Sequence, residues 1–267
     1  MIMKKKIKNL SEKYKTFRSK EKKSTVAVYI LLRLAVLISL IFNFLQGNFE
    51  NVFMCLLTLI LFLIPFIAEE TFEVDIPPFM QIIMLLFIFS AEILGEIESF
   101  YLKIPYWDTM LHTINGFLMG AIGFAMIDLF NRSEKFSLKL TPIFVVFTAF
   151  CFSMTTGVVW EFFEYGLDKF TGTDCQKDVW VDYVNTVEFD QTKSNTVTSI
   201  DIESVVVNGE KWPGYLDIGL IDTMKDMFVN LIGAVVFSII GFIVLKKRDY
   251  DKINHLLIKK REKEIAT

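Results

Sequence analysis

Polar and ionisable side chains recur at helical spacing inside apolar stretches of this sequence. Asp108, His112 and Asn115 are separated by four and then three residues, so they share one face of an α-helix. Two later stretches repeat this spacing, and an earlier stretch carries a pair of glutamates. A charge inside such a stretch is costly and usually functional, so all of these residues are candidate binding residues. In chain order they are Glu92, Glu96, Asp108, His112, Asn115, Glu161, Glu164, Asp168, Asp222, Asp226 and Asn230.

A subset of these candidates has the side-chain chemistry of a metal site. Several carboxylates with one imidazole suit a hard divalent cation such as Mg²⁺, Mn²⁺ or Ca²⁺, and Zn²⁺ accepts the same donors. The set could equally bind a cationic or metal-bridged lipid head group. The candidate metal ligands are Asp108, His112, Glu161, Glu164, Asp222 and Asp226. A divalent metal ion is therefore the cofactor that the sequence indicates.

Other functions stay open for the same residues. A hydrolase or transferase acting on an envelope lipid could use His112 or Glu161 as general base, with a metal polarising the phosphate. No Gly-x-Ser-x-Gly and no His-Glu-x-x-His occurs, so no motif supports that enzyme. An ion-coupled transporter would also need intramembrane carboxylates. A fourth alternative is structural, in which the polar side chains only hydrogen-bond neighbouring helices to one another.

Six apolar runs must position these side chains. Each is long enough to cross about 30 Å of hydrocarbon. The runs are Val26–Gly47, Val52–Ala68, Pro78–Tyr101, Tyr106–Phe130, Pro142–Lys169 and Leu216–Leu245. They predict an all-α integral membrane protein, a bundle of six transmembrane helices. Gly116 and Gly233 are small enough for the fourth and sixth helices to approach closely.

Lys and Arg residues set the expected orientation, because cytoplasmic segments carry an excess of them. They are concentrated before the first run and after the last, and Arg132, Lys135 and Lys139 lie between the fourth and fifth runs. We therefore expect a multi-pass protein of a bacterial cytoplasmic membrane with both termini inside. The basic tails indicate contact with membrane lipids and not with nucleic acid, for which no motif is present. With this orientation all the candidate residues fall in the outer half of the bilayer.

The predicted organisation is a cytoplasmic tail (1–25), spans one to five (26–169), an extracytoplasmic loop (170–215), span six (216–246) and a second tail (247–267). Asn208-Gly209 in the loop lies between Ser204–Val207 and Glu210–Trp212, which predicts a β-hairpin. Alternation from Thr196 to Ile202 predicts one more short strand.

Three stretches of the chain resemble a family. They are Trp107-Asp108-Thr-Met-Leu-His112-Thr-Ile-Asn115-Gly116-Phe117, Trp160-Glu161-Phe-Phe-Glu164-Tyr165 and Asp222-Thr-Met-Lys-Asp226-Met, continuing to Asn230-Leu-Ile-Gly233-Ala234. They resemble the signature stretches of YjdF-like bacterial inner-membrane proteins and, more distantly, of VanZ-like proteins, which are associated with glycopeptide resistance. Gly172-Thr173, Gln176 and Asp178-Val-Trp180 resemble the connection between the last spans, here followed by an insertion from about Val181 to Ile221. The resemblance implies a membrane-protein class and no particular reaction.

The orientation can be tested by single-cysteine labelling of intact cells. Cys175 and the loop around Gly209 should react with a membrane-impermeant maleimide, whereas cysteines placed in residues 1–25 should react only after the membrane is opened. Labelling of the amino-terminal tail in intact cells would contradict the six-span orientation.

Overall fold

The computed structural model describes residues 23–131, 140–247 and 258–260. Most of the predicted amino-terminal tail and most of the carboxy-terminal tail lie outside the described residues. The basic connection with Arg132, Lys135 and Lys139 lies outside them as well.

Six helices among the described residues are long and apolar enough to cross a membrane, which confirms the predicted fold class. Span 2 consists of two helices, Phe49–Leu61 and Ile64–Phe72, and span 3 continues from an α-helix, Pro78–Phe89, into a π-helix, Ser90–Ile97. A short helix, Phe100–Lys103, precedes span 4. The spans are Lys23–Gln46 (span 1), Phe49–Phe72 (span 2), Pro78–Ile97 (span 3), Trp107–Asn131 (span 4), Pro142–Thr171 (span 5) and Leu220–Lys247 (span 6).

Local backbone chemistry explains where the helices begin and end. The Asn48 side chain accepts a hydrogen bond from the Asn51 amide at 3.1 Å and so caps the start of span 2. Span 3 stops before the predicted Tyr101, because Ser99 adopts a positive φ of 59° that an α-helix cannot continue through. Span 6 begins at Leu220 instead of Leu216, since Gly219 has a φ of +83°.

The chain divides into two compact units. Unit A contains the residues up to Met154 together with those from Asn230 onward, and unit B contains Thr155–Val229. Spans 1 to 4 belong to unit A, whereas spans 5 and 6 each contribute to both units.

Buried apolar side chains of unit A form two clusters among its described residues. The first joins spans 1 to 3 and contains Tyr29, Leu32, Val36, Cys55, Phe62, Leu85 and Ile93. The second joins the start of span 3 to spans 4, 5 and 6 and contains Ile76, Met80, Ala121, Phe124, Val145, Val146, Ala149, Phe237, Val244 and Leu245. Lipid is as apolar as these side chains, so close packing and not transfer from water holds such helices together.

Glycines bring the backbones of spans 4 and 6 into direct contact, as the sequence predicts. A Cβ atom on Gly116 would lie 2.0 Å from the carbonyl oxygen of Asn230, and one on Gly233 would lie 2.1 Å from that of Thr113. Span 5 joins the contact where the Ser153 hydroxyl donates to the Gly116 carbonyl at 2.7 Å. The three helices therefore meet at one level of unit A.

Unit B contains short antiparallel strand pairs between spans 5 and 6. Asn208 and Gly209 have φ values of 51° and 89°, as a type I′ turn requires, so the predicted hairpin is confirmed. The predicted strand near Ile200 is also present. Among the described residues the pairs in this unit are Trp180–Val181 with Tyr215–Leu216, Tyr183–Thr186 with Thr198–Asp201, and Val205–Val207 with Glu210–Trp212. A further pair, Val74–Asp75 with Lys259–Lys260, belongs to unit A.

The glycine contact predicts the effect of an added methyl group. Gly116→Ala should lower the free energy of unfolding by about 1–3 kcal/mol, because the backbone of span 6 must move to admit the Cβ atom. Gly166→Ala is the matched control, since nothing lies within 4 Å of a Cβ atom there. The control should be neutral or stabilise span 5 by up to about 1 kcal/mol. Melting of both variants in detergent checks this; equal stability of the two would contradict the close helix contact.

Candidate functional site

Asp108 and His112 form a pair in the first two turns of span 4, in unit A. Nε2 of His112 lies 3.4 Å from Oδ1 of Asp108, as the spacing of four residues predicts. The imidazole is buried, whereas the Asp108 side chain is 26% exposed. An imidazole and a carboxylate so placed can share a proton or bind one cation together.

Asn115 and Asn230 bind each other one turn further into unit A. The Asn115 amide donates to the Asn230 side-chain oxygen at 3.1 Å, across spans 4 and 6. The Asn230 amide approaches the carbonyl oxygen of Ser153 at 3.5 Å. These polar contacts connect three helices and hold spans 4 and 6 in register. They give both asparagines a structural role beneath the Asp108–His112 pair.

Glu92 and Glu96 lie on the π-helix at the end of span 3, also in unit A. Glu92 is half-buried and Glu96 is exposed. Gly95 lets this helix contact the Tyr101 ring closely. A Cβ atom on residue 95 would lie only 2.4 Å from Cε2 of Tyr101. Such π-helical segments are frequent at functional sites, because the wider turn changes the direction of the side chains.

Glu161 and Glu164 occupy the part of span 5 that belongs to unit B. Glu161 is 4% exposed and continues a buried stripe that runs along span 5 through Ser153 and Gly157 at intervals of four residues. Glu164 is half-buried, and its Oε1 accepts a hydrogen bond from the Trp160 indole at 2.8 Å. The two carboxylates therefore differ in environment, although they are only three residues apart.

The Asp168 carboxylate organises the chain that leaves span 5. Its Oδ1 accepts hydrogen bonds from the Cys175 amide at 2.6 Å and the Thr173 hydroxyl at 2.9 Å. Its Oδ2 accepts a hydrogen bond from the Gln176 amide at 2.8 Å. Both oxygens are therefore engaged by the loop, and Gly172 with a φ of +72° turns the chain back toward them. This arrangement gives Asp168 a structural role at the end of span 5.

The start of span 6 is fixed to the same loop. Asp222 accepts a hydrogen bond from the Lys177 amide at 2.9 Å, and its other oxygen lies 3.5 Å from the Lys225 ammonium. The Gln176 side chain donates to the Thr223 hydroxyl, so the loop residue whose amide binds Asp168 also reaches span 6 directly. Asp226 lies one turn further along the helix and is 2% exposed.

Asp217 completes this network and was missed by the sequence analysis. Its two oxygens accept hydrogen bonds from the amides of Val179 at 2.7 Å and Ile221 at 2.9 Å. Gly219 allows the turn, because a Cβ atom there would lie 2.6 Å from Cβ of Gln176. An Asp shortly before a Gly and an apolar run is a helix-start signal that could have identified it.

Side chains able to hold a metal ion occur in each unit among the described residues. In unit A these candidate metal-binding side chains are His112 and Asp108. In unit B they are Glu161, Glu164 and Asp226. Of these, His112, Glu161 and Asp226 are buried. They coincide with predicted metal ligands, whereas Asp222 is engaged by Lys177 and Lys225 as described.

Cys175 is less suited to labelling than the sequence indicates. Burial raises the pKa of its thiol to about 11, an effect that the hydrogen bond between this thiol and the Thr173 hydroxyl only partly offsets. Only the thiolate reacts with maleimide, so the reaction is slow at neutral pH.

We predict that Cys175 reacts roughly tenfold more slowly at pH 8 than a cysteine of ordinary pKa. Its thiolate fraction is about a hundredfold smaller, and the greater nucleophilicity of a thiolate of higher pKa offsets about tenfold of that difference. Lys211→Cys, at an exposed position of the hairpin, is the matched comparison in the same loop. The Cys175 rate should rise with pH up to about 11, whereas that of Lys211→Cys should level off earlier. Equal rates at pH 8 would show that the Cys175 thiol is not held by the loop as described.

Comparisons with known proteins agree with the membrane-spanning fold. The family described as predicted membrane protein (DUF2238) matches residues 27–247, and the chain belongs to this family. An uncharacterized protein of Thermotoga maritima is 26% identical over 105 residues, which cover 39% of this chain and 52% of that relative. The chain thus matches about half the length of the relative. No solved structure matches the chain.

Proposed function

We propose that this member of the DUF2238 family binds a divalent cation within its membrane-spanning region, with His112 and Asp108 as ligands. The observation that carries the proposal is the Asp108–His112 pair itself, at 3.4 Å on the first turns of span 4. The family match shows a membrane protein and assigns no ligand.

The cost of burial supports a functional role for this pair. An ionisable side chain inside a membrane-spanning helix is destabilising by a few kcal/mol unless it is paired or binds a ligand. Two ligand atoms bound to one divalent ion at about 2.0–2.4 Å lie roughly 3–3.5 Å apart. The observed 3.4 Å falls within that range, and it is longer than an ordinary N–H···O hydrogen bond of about 2.7–3.2 Å.

Carboxylates of spans 5 and 6 supply the remaining ligands in this proposal. That Glu161, Glu164, Asp222 and Asp226 join His112 around one ion is a prediction from the sequence. The deep burial of Glu161 and Asp226 is compatible with it, because a metal ion is one of the partners that offset the cost of a buried carboxylate. A ligand set rich in carboxylates favours a hard cation, and the imidazole extends the choice to Mn²⁺ and Zn²⁺.

A purely structural role accounts for some of the polar residues. The asparagines of spans 4 and 6 bind each other, and Asp168 binds its own loop. For Asp108 and His112 the structural alternative stays open, and the metal response of the protein distinguishes it from a cation site.

The cellular setting is part of the same proposal. We place the protein in a bacterial cytoplasmic membrane with both termini inside, so that the Trp107 end of span 4 faces outward. This orientation follows from the basic segments of the sequence, and the resemblance to YjdF-like bacterial inner-membrane proteins supports the choice of membrane. The bound ion would then lie in the outer half of the bilayer, within reach of phospholipid head groups.

A melting experiment tests the cation site. Mn²⁺, Ca²⁺, Mg²⁺ and Zn²⁺ are each added to chelator-treated protein, and a cation at about 100 times its Kd should raise stability by about 2.7 kcal/mol. This increase should weaken as the pH falls from about 7.5 to about 5.5, because protons compete with the metal for the imidazole. His112→Ala should abolish the response, and Glu161→Gln and Asp226→Asn should weaken it.

Asp128→Asn is the matched control for these variants. Asp128 is also a buried acid of span 4, but it lies about 5.6 turns from Asp108. Its replacement should change the melting temperature of the metal-free protein and leave the metal response intact. Melting curves unmoved by chelator and by all four ions would overturn the cation site. So would a response that His112→Ala leaves unchanged.

A further inference from the structure

The chain after span 6 returns to the connection between spans 2 and 3. Its strand Lys259–Lys260, here called the tail strand, pairs antiparallel with Val74–Asp75. The tail strand also lies against span 4, and Ile258 before it packs on the apolar cluster that joins spans 3 to 6. A segment from the end of the chain is thus attached to unit A by strand pairing and by an apolar side chain.

A buried carboxylate fixes the connection that receives the tail strand. Oε1 of Glu69 accepts hydrogen bonds from the Ile76 amide at 2.7 Å and from the Gln81 side chain at 3.2 Å. Val74 and Ile76 are buried, so the backbone is held on both sides of the exposed Asp75. The short edge formed by Val74 and Asp75 therefore has a fixed position and can accept a strand by backbone pairing.

The two segments that pair carry opposite charge. Residues 258–264 include four basic and two acidic residues. Residues 69–75 include no basic residue, and their acidic residues are Glu69, Glu70, Glu73 and Asp75. Such an acidic connection is unexpected on the side of the membrane that carries the basic tails, where Lys and Arg are in excess. The positive charge of the tail accounts for this exception.

The strand pair lies at the face of the membrane. Span 2 ends at Phe72 and span 3 begins at Pro78, so only residues 73–77 connect them. Four spans separate this connection from the tail, which places both on one side of the bilayer. An anionic bilayer surface attracts Lys and Arg within about one Debye length, roughly 10 Å at 0.1 M salt. Anionic head groups can therefore compete with the acidic connection for the same basic residues.

We propose that residues 69–76 and the tail strand form a clasp that anionic phospholipid opens. In the closed state the tail strand is paired with Val74–Asp75. In the open state the basic residues of the tail bind lipid phosphates at the surface of the bilayer. A pair of two-residue strands is marginal by itself, so charge decides the balance between the two states. The clasp does not depend on the proposed cation site.

Disulfide crosslinking measures the closed state. Asp75→Cys and Lys259→Cys are introduced into the full-length protein after its natural cysteines are replaced by alanine, and copper phenanthroline is the oxidant. Opposite residues of antiparallel strands have Cα atoms about 4.5–5.5 Å apart, a distance that a disulfide spans. Asp75→Cys with Lys260→Cys is the matched control, because residue 260 lies opposite Val74. In phosphatidylcholine vesicles the first pair should crosslink about fivefold faster than the control. Equal rates would overturn the clasp.

Neutralising the acidic connection tests whether charge holds the clasp closed. Glu70→Gln with Glu73→Gln, added to the Asp75→Cys and Lys259→Cys protein, should slow crosslinking in phosphatidylcholine vesicles about threefold, because the tail loses two opposite charges. Glu203→Gln with Glu210→Gln removes two acidic charges from unit B and is the matched control, which should leave the rate unchanged. Melting curves confirm that each variant is folded. Equal rates in the two double variants would overturn the role of charge and with it the proposal.

Vesicle composition tests the opening by lipid. At about 0.05 M salt, replacing about 40% of the phosphatidylcholine by phosphatidylglycerol should slow crosslinking of the Asp75→Cys and Lys259→Cys pair about fivefold. Raising the salt to about 0.5 M should restore most of this rate, because attraction of the tail to the bilayer is screened. In phosphatidylcholine alone the same salt should lower the rate, because the attraction between tail and connection is screened instead. A rate that phosphatidylglycerol leaves unchanged at both salt concentrations would overturn the lipid-opened clasp.

Discussion

The backbone contact between spans 4 and 6 is the constraint on which the rest of unit A depends. Gly116 and Gly233 have no side chain, so each helix lies directly against a carbonyl group of the other. At this distance the register of the two helices cannot slide, and the hydrogen bond between Asn115 and Asn230 fixes it further. The Asp108–His112 pair therefore projects from a rigid helix, as a binding site requires.

A second set of polar contacts fixes unit B. Asp168, Asp217 and Asp222 accept hydrogen bonds from loop amides at the end of span 5 and the start of span 6. Because Gln176 also reaches Thr223, the segment after span 5 is tied to both helices before the strands begin. The short strand pairs follow from this arrangement and would be marginal without an attachment to a larger unit.

The sequence predicts the elements well, because each has a local cause. Apolar length gives the six spans, Asn208-Gly209 gives the hairpin, and a spacing of four residues gives the Asp108–His112 pair. Spacing cannot distinguish a ligand from a hydrogen-bonded side chain, so Asn115 and Asp168 were grouped with the candidate binding residues. The π-helix at Ser90 and the pairing of the tail strand with Val74–Asp75 depend on packing between distant parts of the chain, which no local pattern records.

The most direct test of the proposed function asks whether an imidazole nitrogen binds the metal. Electron spin-echo envelope modulation of the Mn²⁺-loaded protein detects such a nitrogen through its coupling to the metal. The cation site predicts one imidazole nitrogen coupled to a bound Mn²⁺ ion in the wild type and in Asp128→Asn, and none in His112→Ala. A Mn²⁺ spectrum without nitrogen coupling in the wild type, or the same coupling in His112→Ala, would contradict a metal site built on His112.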